Sequence, residues 1–152
     1  MDVTASLDAP VASAAMYEVV RDLATYREWL DIVHGVRVDE TQAGEDCAWV
    51  VELRGKVGPF ARSKRLRMVR ASDQSPGSES SGKVVFERRE LSTRRHSPWV
   101  LTADIVDAAT GSTLKMHLHY GGKLFTGYML ERLLAEQIGK GRERLLGLLV
   151  GN

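Results

Sequence analysis

The chain alternates between two hydrophobic rhythms, and the switches between them mark its elements. Val3, Ala5 and Leu7 alternate with Asp2, Thr4, Ser6 and Asp8, the period of a half-buried strand. Pro10 breaks that strand and suits the first turn of a helix. Val11, Ala15, Met16, Val19, Val20 and Leu23 then keep helical spacing. Thr25-Tyr26-Arg27-Glu28 has the spacing of a capping box, in which the Thr25 hydroxyl and the Glu28 carboxylate would satisfy each other's free amides. A second short helix is therefore predicted from Thr25, carrying Trp29 and Leu30, with Gly35 ending the region.

From Val36 the period changes to two. Val36 and Val38 start a strand, and Gly44 marks a turn. Cys47, Trp49, Val51, Leu53, Gly55 and Val57 share one face, opposite Glu52, Arg54 and Lys56. After the turn at Gly58-Pro59, a strand over residues 61–71 places Leu66 and Met68 on one face and Arg65, Arg67 and Val69 on the other. Residues 72–82 read as a polar loop. Val84, Phe86 and Arg88 share the next strand face; Trp99, Leu101, Ala103 and Ile105 share another. Beyond a hairpin turn at 109–111, Leu114, Met116, Leu118 and Tyr120 alternate with Thr113, Lys115, His117 and His119.

The last fifth, residues 121–150, reads as one long helix. At 100° per residue, Leu130, Leu133, Leu134, Ile138, Gly141, Leu145, Leu148 and Leu149 lie on one side, with Arg132, Glu136 and Glu143 behind. Gln137 sits inside the apolar arc, where a polar side chain needs a partner. The order is thus one strand, two short helices, five or six antiparallel strands and one long helix. A sheet with one solvated face must cover the other, and only the last helix is long enough. The expected fold is α+β: one domain over 1–152, a curved antiparallel sheet wrapped around a long C-terminal helix, with an apolar space between them.

Composition narrows the setting. Apolar residues make up 43% and charged residues 27%, ordinary for a globular chain. The net charge of +1 gives no overall field to draw in nucleic acid, and no nucleic-acid partner is expected. Cys47 is the only cysteine, which excludes an internal disulfide and fits a cytoplasmic setting. The N-terminus lacks a basic leader with an apolar core, and no apolar run reaches the roughly 18–20 residues of a membrane span, so no integral membrane association is expected.

Three pieces of the chain resemble the START-like (SRPBCC) superfamily of helix-grip proteins, in particular the bacterial branch named for polyketide cyclases, dehydrases and lipid transport. They are Leu7-Asp8-Ala9-Pro10-Val11, a first strand turning at Ala-Pro into a helix; Asp22 through Leu30, an Asp followed by a Tyr and a Trp; and the Gly-rich lead-in to the long last helix. The resemblance spans nearly the whole chain. It implies a helix-grip fold and a cavity for a small hydrophobic or amphipathic ligand, such as a lipid, an isoprenoid or an aromatic polyketide. Members also include aromatic polyketide cyclases and dehydrases and protein-partner modules, so an enzyme and an interaction module acting on a chaperone or ribosome stand as alternatives. The residues 72–82 loop and the arginine density after Pro59 depart from the family pattern.

On this reading Trp49, Met68, Phe86, Trp99, Met116, Tyr120 and Leu133 line the enclosed space, each equally suited to plain core packing. Arg88 shares the parity of Val84 and Phe86. Pointed inward it would need an acidic ligand group; otherwise Glu90, Glu52 or water must satisfy it. Gln137 would contact the ligand or bond to the sheet or its own helix. Arg62 and Lys64 share the parity of Leu66 and Met68 and would guard the same opening. His117 and His119 point the same way on one strand, as metal ligands do, but on the polar face and without a third ligand; no metal and no cofactor are expected. His34 reads as a loop residue, and His96 as part of a solvated turn. No nucleophile elbow, dinucleotide fingerprint or phosphate loop is present. Arginines and lysines concentrate from Arg62 to Arg95, a stretch suited to anionic lipid or nucleic acid but interleaved with Glu87 and Glu90. A homodimer is a possible assembly. The function expected is binding of a small apolar ligand, with Arg88, Gln137 and Tyr120 orienting it.

Overall fold

The computed structural model describes residues 1–57, 59–78, 80–121 and 127–150; of Val57, residues 127–131 and residues 133–135 it describes the backbone alone. The elements run β1 (Asp2–Ala9), α1 (Ser13–Val20), a short 3-10 helix (Leu23–Glu28), β2 (Val33–Asp39), β3 (Ala48–Val57), β4 (Phe60–Gln74), β5 (Gly82–Arg88), β6 (Trp99–Ala108), β7 (Gly111–Tyr120) and α2 (Gly127–Val150). The seven strands form one curved antiparallel sheet in the order β1-β7-β6-β5-β4-β3-β2. Consecutive strands from β2 to β7 are neighbours, and β1 closes onto β7 with Asp2 opposite His119 and Leu7 opposite Leu114. This is the predicted architecture, with six strands after the helical segment.

The period-2 residues supply the inner face. Leu66, Val84, Phe86, Ala103, Ile105 and Leu114 are buried there, and Met16, Val20, Tyr26 and Trp29 from the helical segment pack into the same core. On α2, Gly141 and Leu145 are buried while Arg132, Glu136 and Glu143 are exposed, as the helical period requires. A Cβ added at Gly141 would collide with the carbonyl oxygen of Trp29, so the missing side chain is what lets α2 sit against the 3-10 segment.

Local structure departs from the sequence reading in four places. The 3-10 helix starts at Leu23 and is capped by Asp22, whose carboxylate accepts the Ala24 N–H at 3.0 Å. The Thr25 hydroxyl instead donates backwards, to the carbonyls of Val19 and Asp22, so no capping box forms. β4 runs on to Gln74 through a bulge between Arg70 and Ser72, which takes the first part of the expected 72–82 loop into the sheet. Gly35 and His34 lie within β2, at a register shift, where His34 is exposed. Of the expected helix over 121–150, residues 122–126 lie outside the described residues.

Arg67 corrects a further expectation. It occupies the outer face of β4, yet only 4% of it is exposed. The β2–β3 connection folds over it. Arg67 donates to Asp39 at 2.9 Å, to Glu45 at 2.7 and 3.0 Å, and to the carbonyls of Glu40 and Arg89. Glu90 in turn accepts the Arg67 backbone N–H. The guanidinium bonds hold the Glu45 carboxyl down to about 2 and lower that of Asp39.

Candidate functional site

Between the sheet and α2 lies a pocket of about 120 Å³. β1 contributes Val3, Thr4 and Ala5; the helical segment contributes Leu23, Tyr26, Leu30 and Ile32; the strands contribute Val51, Leu53, Leu66, Met68, Trp99, Leu101, Met116 and Leu118; and α2 contributes Ile138. Alternation explains the pairs from β3, β4, β6 and β7, since in each strand the two residues lie two positions apart on the inner face. The lining is almost wholly apolar. The Tyr26 hydroxyl is spent on the Val20 carbonyl at 2.8 Å, and full burial pushes its pKa up. Trp99 is buried, and its indole Nε1–H has no acceptor among the described residues.

Of the residues expected to line the space, Met68, Trp99 and Met116 do so. Trp49 and Phe86 share their face but pack edge-on against each other, centroids 5.6 Å apart, with Tyr26 set edge-on against Phe86. Tyr120 stacks at a tilt on Trp99, 5.3 Å away, and its hydroxyl meets the Met1 sulfur. The Leu133 side chain lies outside the described residues. Arg88 is satisfied by the protein: it donates to Glu90 at 3.0 Å and to the Ser97 carbonyl and hydroxyl at 3.2 and 3.1 Å, and it is not among the lining residues. Gln137 accepts the Ile32 N–H at 2.9 Å and so ties α2 to the chain just before β2. Lys64 lies over the Trp99 ring, 6.0 Å from its centre; burial, then the nearby Arg88 charge, lowers its pKa.

Sequence reasoning missed the contributions of β1 and of the helical segment. The alternation of Val3 and Ala5 showed an inward face, but only the closure of β1 onto β7 brings that face under α2. Next to the pocket, a groove of about 580 Å³ runs between β1 and α2, bordered by Asp2, Ser6, Leu7, Gly139 and Arg142. Val3, Thr4, Ala5 and Ile138 border both spaces. His117 and His119 are partly exposed and share Asp2, each with a ring nitrogen within 3.0 Å of its Oδ1. Among the described residues no group of His, Cys, Asp and Glu could hold a metal ion, and no helix is long and apolar enough to cross a membrane.

This arrangement defines a START-like helix-grip fold, and solved structures carry the same one. A START superfamily protein from Mycobacterium smegmatis superposes with a TM-score of 0.66 at 13% identity, covering 97% of this chain and 96% of that one. A STAR-related lipid transfer protein from Xanthomonas axonopodis gives 0.69 at 14%, covering 96% and 84%. The di-domain ARO/CYC StfQ from the steffimycin biosynthetic pathway gives 0.63 at 14%, and there the match covers 96% of this chain and 49% of that one. No family model matches the chain. No curated protein matches it either.

Proposed function

We propose that the protein binds a small, largely apolar molecule between the sheet and α2, held by apolar burial and by one hydrogen bond to Trp99. The observation that carries this is the Trp99 Nε1–H, which among the described residues has no acceptor, in a residue lining an apolar pocket. A buried donor left unpaired costs about 1–3 kcal/mol. A ligand carbonyl, ether or hydroxyl oxygen would remove that cost, and a pure hydrocarbon would not.

Size sets the ligand class. A pocket of about 120 Å³ is close to the ~150 Å³ apolar cavity that accepts benzene. A ring or a short branched chain fits as the protein stands. A longer isoprenoid or acyl chain extends between β1 and α2 into the groove, where Asp2, Ser6 and Arg142 offer polar contacts to its far end. Similarity to a lipid transfer protein and to an ARO/CYC supports a ligand of this kind. Turnover as a cyclase would need an acid or base at the ligand. Among the described lining residues only Tyr26 titrates, and its hydroxyl is engaged, which favours binding over catalysis.

Trp99→Phe tests the reading, because it keeps an aromatic side chain, a smaller one, and deletes the donor. Affinity for an aromatic ketone, followed by fluorescence or calorimetry, is expected to fall about fivefold, while affinity for the matching hydrocarbon stays unchanged. Equal loss for both compounds, or no binding of either to the native chain, would contradict it.

A further inference from the structure

We propose that the free end of the β3–β4 hairpin, with the β5–β6 connection beside it, docks on the surface of an anionic lipid bilayer. The geometry comes from strand pairing. β2 pairs with β3 no farther than Leu53, and β5 pairs with β4 no nearer the tip than Met68. The rungs Gly55–Arg62, Lys56–Ala61 and Val57–Phe60 therefore stand beyond the neighbouring strands as a two-stranded arm. Since β5 leaves the sheet at Arg88, opposite Met68, the connection that follows emerges at the same end.

The chemistry of this end is basic and apolar together. From Arg54 to Arg65 the chain holds five basic residues and no acidic one; from Arg88 to Arg95 it holds four arginines and one glutamate. The whole chain carries only +1, so positive charge is drawn to this end and the remainder is net acidic. Arg54, Arg88 and Arg89 are paired with glutamates, but Lys56, Arg62, Arg65, Arg94 and Arg95 form no ion pair among the described residues. Two large apolar side chains stand in water among these cations: Phe60, 65% exposed at the tip, and Leu91, 61% exposed on the connection. Cations alone would suit any polyanion. An exposed phenylalanine and leucine at their apex suit a surface into which apolar groups sink while the cations stay with the headgroups. Strand parity adds a direction: Phe60, Arg62 and Lys64 share the face of Leu66 and Met68, which line the pocket.

The test is co-sedimentation of the full chain with vesicles of phosphatidylcholine alone and of phosphatidylcholine mixed with phosphatidylglycerol. The chain is expected to bind the anionic vesicles only and to leave them at high salt. Phe60→Ser is expected to lower the partition coefficient about tenfold, and Lys56→Gln or Arg62→Gln about fivefold each. Val38→Ser, at an exposed apolar residue on edge strand β2, opposite Trp49 and so away from the hairpin tip, should change nothing. These side chains are exposed, so folding should survive; if Phe60→Ser fails to fold, the two charge variants decide. No binding to anionic vesicles, equal binding to both vesicle types, or native binding by the variants would overturn the proposal. So would tighter binding to an RNA oligomer that Lys56→Gln and Arg62→Gln abolish and Phe60→Ser leaves intact. The assay uses no pocket ligand, so its failure would leave the reading of Trp99 untouched.

Discussion

Arg67 is a charged side chain held almost wholly out of water by carboxylates and carbonyls. Strand parity put it on the outer face of β4, and that is where it lies. Parity says nothing of the β2–β3 connection, which returns over that face and surrounds the guanidinium with Asp39, Glu45 and two carbonyls. Removing the cation would leave the nearly buried Glu45 carboxylate and the partly buried Asp39 carboxylate unpaired, so Arg67→Ala is expected to cost about 3–5 kcal/mol in urea unfolding. The pH dependence follows from the depressed acids. Glu45 titrates near its ordinary value once unfolded and at about 2 when folded. Its share of stability is full above the ordinary glutamate range and is lost as pH falls through the folded value. Glu45→Gln should flatten the acid limb of the stability curve between roughly pH 4.5 and 2; an unchanged limb would show that Arg67 draws little from Glu45. The pocket residues show the complementary limit. Parity placed Trp49, Met68, Phe86, Trp99 and Met116 on one face, but a curved sheet divides that face between lining and ring-packed core. Position along the strand decides which, and the alternation does not encode it.

At the scale of elements, the helix α2 and its seat were partly legible. The 3.6-residue period oriented the helix correctly where its side chains are described, and Gln137 stood out as a polar residue needing a partner. Its partner is the Ile32 N–H, a contact between residues far apart in sequence. Gly141 read only as a member of the apolar arc. Its reason is the Trp29 carbonyl lying where a Cβ would go. Gly141→Ala must push α2 away from the 3-10 segment, and a loss of about 1–3 kcal/mol is expected, measured by thermal or urea unfolding. Substitution at Gly139, where nothing lies within 4 Å of the added Cβ, should instead be tolerated. The same limit explains the misplaced cap. Thr25 and Glu28 have capping-box spacing, but Asp22 lies first in the chain and takes the helix start two residues earlier.

At the scale of the molecule, the order of elements was legible because each strand carries a period of two and the last helix a period near 3.6. A sheet that is apolar on one side leaves few ways to be covered. The similarity to START-like structures spans nearly all of the chain at 12–14% identity in several of them, so the fold persists where little of the sequence does. Ligand identity does not follow from that fold. The shape of the space beneath α2 depends on which inner-face residues are large and on how closely Gly141 lets the helix approach. This space is proposed to hold a small apolar molecule. Native mass spectrometry of the purified full chain tests it most directly. A second species is expected, heavier by one small molecule that passes into organic solvent on extraction and is depleted in Trp99→Phe. A single unliganded mass that stays unliganded after incubation with aromatic ketones and short isoprenoids would contradict it.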